Sequence, residues 1–257
     1  MASGKADTVV SFYSKSDVGL VRPENQDSFG KWPPNSMNTK STHGQLFIVA
    51  DGMGGHRGGK QASSMAVDEI QRSYASETHE TICTGLQNAF ELANHLIYKL
   101  ATEDPSYYGM GTTCTALVIK DDKAHIAHIG DSRAYRIRQS GIELLTMDHT
   151  KVAELQRQGI LNEEDIRYHP ERSILYRALG THPLVEIDLL CDIAIRDGDR
   201  FLLCTDGLTR IDDDEIRGIV LYNSPPEACM KLVALANELD GDDNVTVQVI
   251  SYASNSD

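Results

Sequence analysis

Four short apolar runs in this chain meet an aspartate at one end, and that repeated pattern limits the folds open to it. Leu46–Ala50 stops at Asp51, the run 123–129 (KAHIAHI) at Gly130-Asp131, and 199–205 (DRFLLCT) at Asp206. The last run, 245–252, is preceded by Asp243-Asn244. Each run has the length and β-branched or alternating character of a buried or half-buried strand. Asp51 and Asp206 are each followed by glycine, and Asp51 opens a chain of glycines at 52, 54, 55, 58 and 59. Glycine permits sharp turns and close backbone approach. Taken singly, an aspartate at a strand end is an ordinary turn residue. As a set, joined by Asp27 after Asn25-Gln26 in a broken loop, they point to carboxylates carried to one rim.

Convergent carboxylates demand a cation. Like charges 4 Å apart repel by roughly 4 kcal/mol per pair at an effective dielectric of about 20. Oxygen ligands without a Cys or His partner suit hard ions such as Mg²⁺ or Mn²⁺ and not zinc. The chemistry that paired hard cations most often run is phosphoryl transfer to water. A structural Ca²⁺ site is the competing reading, but its ligands usually share one loop. Here they run from Asp27 to Asp243.

The rest of the chain fills in an architecture. Residues 8–14 and 114–119 read as strands, and Ala134–Arg138 as a hairpin partner of 123–129. Helical spacing appears over Gln61–Tyr74, Leu86–Leu100 and Pro226–Leu239. Lys31–Gly44 reads as a polar, Pro-rich loop, and 146–180 as a polar, helical excursion from the sheet. Strands and helices come in clusters without βαβ alternation, which predicts antiparallel sheets covered by helices in one domain.

Composition excludes several partners. A net charge of −14 repels nucleic acid and anionic membranes. No apolar run approaches the roughly 18–20 residues of a membrane helix. The start, MASGKADTVV, has no signal-peptide core. The five cysteines are widely spaced with no CxxC, and Cys114, Cys191 and Cys204 lie within or beside apolar runs. They read as buried thiols in a reducing cytoplasm.

Seven motifs in order then carry a resemblance: VRPENQDSF (21–29), FIVADGMGGHRGG (47–59), GMGTTCTALVI (109–119), AHIGDSRAYR (127–136), TMDHTK (146–151), DRFLLCTDGLT (199–209) and DDNVTV (242–247). Together they resemble the metal-dependent, 2C-type protein phosphatases in their compact bacterial form. The resemblance implies an α+β fold, a four-layer αββα sandwich of two mainly antiparallel sheets flanked by helices, with a small helical flap over about 149–180. The whole of 1–257 would form one catalytic domain, with a core over about 8–252.

The resemblance further implies that Asp51 bridges two Mn²⁺ or Mg²⁺ ions and that the Gly52 carbonyl adds a ligand. Asp206 and Asp243 would hold one ion, Asp27 would lie close to the other, and Asp131 with Asp206 would hold a third, weaker one. Arg22 matches the residue that grips the substrate phosphate, for which a planar guanidinium is suited. The nucleophile would be a metal-bridging water or hydroxide. The expected substrates are proteins phosphorylated on Ser or Thr by an opposing kinase, and the expected enzyme is a cytoplasmic monomer.

Two positions depart from animal relatives. Gln26 stands where a glutamate ligand is found, and Met53 where the proposed general-acid histidine is found, which leaves His56 as the candidate proton donor. His169 matches a flap histidine that touches substrate. Asp148, in the DHT motif, reads as the N-cap of a helix over Val152–Gln158. A catalytically silent binding domain and a small-molecule phosphatase are the alternatives, the first disfavoured because every metal aspartate is retained.

Overall fold

The computed structural model describes residues 8–34, 43–54, 58–76, 79–162 and 169–254. Its strands are β1 (Thr8–Asp17), β2 (Asp27–Trp32), β3 (Gln45–Met53), β4 (Gly111–Thr112), β5 (Cys114–Lys120) and β6 (Lys123–Ile129). These are followed by β7 (Arg133–Arg138), β8 (Gly141–Leu144), β9 (Asp188–Ala194), β10 (Arg200–Cys204) and β11 (Val245–Ser254). The helices are α1 (Gly58–Ser76), α2 (Ile82–Glu103), α3 (Lys151–Arg157), α4 (Asp213–Tyr222) and α5 (Pro225–Leu239).

One sheet runs β1-β11-β10-β7-β8 and the other β2-β3-β5-β6-β9, with β4 appended to β3. Every pairing is antiparallel. Three apolar clusters fix the order of the layers. Ala62, Ile70, Phe90 and Ile97 of α1 and α2 pack on Leu46, Ile48 and Val118 of the second sheet. Phe47, Leu117 and Ile126 of that sheet meet Phe201, Leu203 and Ile250 of the first. Leu202, Val247 and Val249 on the first sheet's outer face are covered by Ile216 of α4 and by Leu232 and Val233 of α5. The alternation of Leu46-Phe47-Ile48-Val49 between two clusters explains why β3 is apolar on both faces. The result is the four-layer αββα sandwich that the resemblance implied.

Several elements differ from the sequence reading. β2 begins within the stretch read as broken and reaches into the stretch read as loop. β8, β9 and α4 lie where no element was expected, and β7, read as a hairpin partner of 123–129, instead pairs with β8 and β10 in the other sheet. Asp148 is not a helix cap: Thr150 caps α3, its hydroxyl accepting from Ala153 N at 3.2 Å. Asp148 instead takes a forked pair from Arg133, whose Nε and Nη2 donate at 3.0 and 2.7 Å. Cys191 is likewise no buried thiol. It is exposed on β9 and bonded to Cys83. No helix among the described residues is long and apolar enough to cross a membrane.

Candidate metal centre

The aspartates meet because strand pairing leaves them no alternative. The β2–β3 register places Asp27 opposite Asp51. β10 and β11 are neighbours, so Asp206, just past the end of β10, and Asp243, just before β11, share the corresponding edge of the other sheet. Asp131 sits in the short connection from β6 to β7, where the chain passes from one sheet to the other. Asp27 ties the sheets together: its Oδ2 accepts from Thr205 Oγ1 at 2.8 Å and from Thr246 Oγ1 at 2.7 Å.

The two Asp-Gly turns owe their glycines to close packing. A Cβ on Gly52 would lie 2.0 Å from the carbonyl oxygen of Gly59 and 2.8 Å from that of Gln26. A Cβ on Gly207 would lie 2.1 Å from the carbonyl oxygen of Asn244. Backbone cannot yield as a flexible side chain can, so both turns close only with glycine.

The aspartates are held by partners that the sequence reading passed over. Asp51 N donates to Thr113 Oγ1 at 2.9 Å, and Thr112 Oγ1 donates to Asp51 O at 2.8 Å. Thr113 Oγ1 lies 2.7 Å from Ser132 Oγ, which joins the Asp51 and Asp131 turns. Gly130 N donates to His149 Nδ1 at 3.0 Å, so His149 Nε2 carries the proton and donates to Asp188 Oδ2 at 3.1 Å. Asn244 fastens the loop that carries Arg22: its Oδ1 accepts from Gln26 N at 2.8 Å, and its Nδ2 donates to Val18 O and Glu24 O at 2.9 and 3.1 Å. Within one sequence, a threonine or asparagine beside a strand end carries no mark that separates such a role from a surface one.

Electrostatically the rim is strained. Burial first, and then Asp27, Asp206, Asp131 and Asp243, push the Asp51 carboxyl well above the usual carboxylate range. Burial and the neighbouring Asp206 do the same to Asp131. Asp27 is raised by burial against the pull of its two threonine hydroxyls, and Asp206 by burial and Asp243. Two buried oxygens, Asp27 Oδ1 and Asp206 Oδ1, have no hydrogen-bond partner among the described residues. Oxygen-only donors, mutual repulsion and two orphaned buried acceptors fit hard divalent cations.

Arg22 reaches this rim. Its Nη2 donates to Asp243 Oδ2 at 2.7 Å, and that bond raises the guanidinium pKa. Arg22 also lines a cleft of about 590 Å³ with Asp206, Asp243, Arg172 and Arg210. A second cleft of about 900 Å³ shares Asp206 and Arg172 and reaches Asp131. From the flap, Arg172 and Ser173 line both clefts. His169 is engaged locally, its Nδ1 accepting from Glu171 N at 3.1 Å. His56 lies outside the described residues. Met53 ends β3.

The serine/threonine phosphatase stp of Listeria welshimeri is 36% identical over 242 residues, covering 92% of this chain and 93% of that protein. The protein phosphatase PhpP of Streptococcus pneumoniae is 36% identical over 241 residues, covering 92% of this chain and 95% of that one. Among solved structures, the catalytic domain of the serine/threonine protein phosphatase PstP in complex with 2 manganese ions superposes with a TM-score of 0.83. It is 32% identical and covers 96% of this chain and 100% of its own. The family model described as protein phosphatase 2C matches residues 23–218, and with relatives at 36% identity across 92% of its length, this chain belongs to the protein phosphatase 2C family.

Proposed function

We propose that this protein is a metal-dependent serine/threonine protein phosphatase, hydrolysing phosphate monoesters on proteins in opposition to a kinase. The observation that carries the proposal is the meeting of Asp27 and Asp51 from one sheet with Asp206 and Asp243 from the other, with Asp131 between the sheets. The relatives named as serine/threonine phosphatases, and the PstP domain with 2 manganese ions, support it.

In this reading Asp51 and the Gly52 carbonyl would hold two Mn²⁺ or Mg²⁺ ions, Asp206 and Asp243 would complete one, Asp27 would support the other, and Asp131 with Asp206 would take a third. Such ions, when bound, lower the pKa of water and neutralise charge on a phosphoryl group. The protein's own contribution is placement. Thr205 and Thr246 fix the Asp27 carboxylate, Thr112 and Thr113 fix the backbone at Asp51, and Asn244 fixes the loop behind Arg22. Arg22 already faces the cleft. Arg22 now donates to Asp243; were that carboxylate to hold a cation, the guanidinium would be free to make two parallel hydrogen bonds to phosphate oxygens. His56 is the proposed donor to the leaving serine or threonine oxygen, and His169 a proposed flap contact. The whole chain is read as one catalytic domain, acting as a monomer in the cytoplasm.

Hydrolysis of a phosphothreonine peptide by the full chain, with Mn²⁺ titrated in, tests this directly. The expected result is Mn²⁺-dependent turnover that falls about 10³-fold in Asp206→Asn, several kcal/mol of charge stabilisation being lost. Absence of turnover at any Mn²⁺ concentration, or activity unaffected by the substitution, sinks the proposal. Faster turnover of nucleotides or sugar phosphates than of phosphopeptides would move the substrate to small molecules.

A further inference from the structure

A second cluster of reactive side chains shares no residue with either cleft. Cys83 occupies the first turn of α2, after its N-cap Thr81. Cys191 sits on β9, the edge strand of its sheet. The β6–β9 register slips between Ala124 and Ile126, so that His125 faces Cys191 and Asp192, the latter at φ +57°. This bulge brings Cys191 to Cys83, Cα to Cα 6.2 Å, within the range a disulfide spans, and the two sulfurs are bonded. His125 is buried, and its Nδ1 lies 3.8 Å from Cys83 Sγ while accepting from Asp192 N at 3.2 Å.

We propose that Cys83, Cys191 and His125 form a reversible thiol–disulfide site that is closed by hydroperoxides and opened by dithiols. In closing, the Cys83 thiolate attacks a peroxide oxygen; the O–O bond breaks, Cys83 becomes a sulfenic acid and the other oxygen leaves as water. The Cys191 sulfur then attacks the sulfenic sulfur, the S–S bond forms and a second water leaves. Overall, two thiols and one hydrogen peroxide give one disulfide and two waters. Cys83 is the attacking thiol because a helix N-terminus favours thiolate and His125 Nδ1 is within reach to take its proton. Cys191, exposed, resolves the sulfenic acid and is the sulfur an incoming dithiol attacks, with Cys83 as the leaving thiolate.

The other three cysteines do not compete. Cys114, Cys204 and Cys229 are buried, and burial pushes all three thiols up, Cys204 and Cys229 to about 12. The same two sulfurs and a ring nitrogen of His125 fall within 4.8 Å of one another, a spacing that a soft metal ion also accepts. The existing S–S bond favours the redox reading.

The staple has a mechanical consequence. α2 holds the chain returning from the flap, since Asn94 donates to His182 O at 3.0 Å and accepts from Gly180 N at 2.8 Å. β9 holds the flap's ends as well, because Asp188 accepts from Arg177 Nη1 at 2.9 Å and from His149 Nε2 at 3.1 Å. Closing Cys83–Cys191 fastens the two supports to each other.

The test uses the full chain, reduced with a dithiol, freed of it and exposed to hydrogen peroxide. Two of the five thiols are expected to disappear first, at least 10-fold faster than the rest, as a Cys83–Cys191 cross-link that a dithiol reverses. Tm is expected to rise on the order of 5–10 °C on closure, given a sequence separation of 108 residues. In Cys191→Ser a sulfenic acid on Cys83 is expected to be trapped by dimedone, with none on Cys191 in Cys83→Ser. Substitution His125→Asn is expected to slow the trapping several-fold. Three results overturn the proposal: equal oxidation of the buried thiols, a cross-link that dithiols cannot open in the folded protein, or stoichiometric Co²⁺ uptake by the reduced protein with a thiolate charge-transfer band that blocks cross-linking.

Discussion

The layer between the two sheets and the rim at their ends are built from the same strands, yet they follow opposite physics. Between the sheets, Phe47, Val49 and Leu117 meet Phe201, Leu203 and Ile250, all 0% exposed and all apolar. A step or two beyond, at Asp51 and Asp206, buried carboxylates are packed so that Asp27 and Asp206 raise the pKa of Asp51 and Asp243 raises that of Asp206. The interior stabilises the fold by itself; the rim opposes folding until something positive joins it. The difference teaches that the strands are fastened in their middles so that their ends can hold a charge cluster that would not otherwise stay together.

The largest effect expected from breaking this contrast is at the rim. Asp51→Asn should lower Mn²⁺-dependent phosphopeptide hydrolysis by about 10³-fold or more, while Tm in chelator stays level or rises because one repelling charge is gone. Steady-state kinetics and a melting curve on the same sample check both halves. Next comes the interior: Phe201→Ala should cost about 3–5 kcal/mol and lower Tm by on the order of 10 °C, leaving Mn²⁺ affinity in the folded protein unchanged. Denaturant unfolding beside Mn²⁺ titration separates the two. A smaller effect is expected of Arg22→Ala, which removes charge-assisted hydrogen bonds worth about 1.5–3 kcal/mol, or roughly 10–150-fold in kcat/KM. Its pair with Asp243 is 51% and 36% exposed, so little change in Tm is expected.

The smallest effect is a pH dependence that only the rim should show. Asp27 and Asp206 have folded pKa values raised to about 7 and about 6, above their unfolded values. Carboxylates raised in this way contribute stability that is full below about pH 4 and is lost as pH climbs through 6 and 7. In chelator, then, Tm should sag by a few degrees between pH 5 and pH 7.5, and the gain on adding Mn²⁺ should be larger at pH 7.5. Thermal melts at the two pH values check this, and a gain that is larger at pH 5 would show the carboxylates are not converged.

How much of this was legible in the sequence depended on whether the signal was local. The Asp-Gly turns at 51–52 and 206–207 stood out because a buried strand, a carboxylate and a glycine are contiguous, and the sandwich followed from clustered strands plus the resemblance. β2 escaped because DSFGKW carries glycine and lysine and is buried at only some positions. β9 escaped because it is an edge strand interrupted by a bulge. α4 has Gly218 inside its short length, which weakens the helical signal. Thr205, Thr246 and Asn244 acquire their roles only from β10 and β11 lying beside β2. Asp148 and Thr150 are both good caps two residues apart, and Arg133, at the start of β7, decided between them. Cys191 looked buried because Leu189 and Leu190 precede it, but on an edge strand apolar neighbours do not guarantee cover.

The claim at the centre is that carboxylates from both sheets make one divalent-cation site, and calorimetric titration of the chelated, dialysed protein with Mn²⁺ tests it most directly. The account predicts saturable binding of at least two ions per chain, abolished or reduced to a single weak site in Asp51→Asn and weakened in Asp206→Asn. Binding of no ion, or stoichiometry untouched by Asp51→Asn, would contradict it.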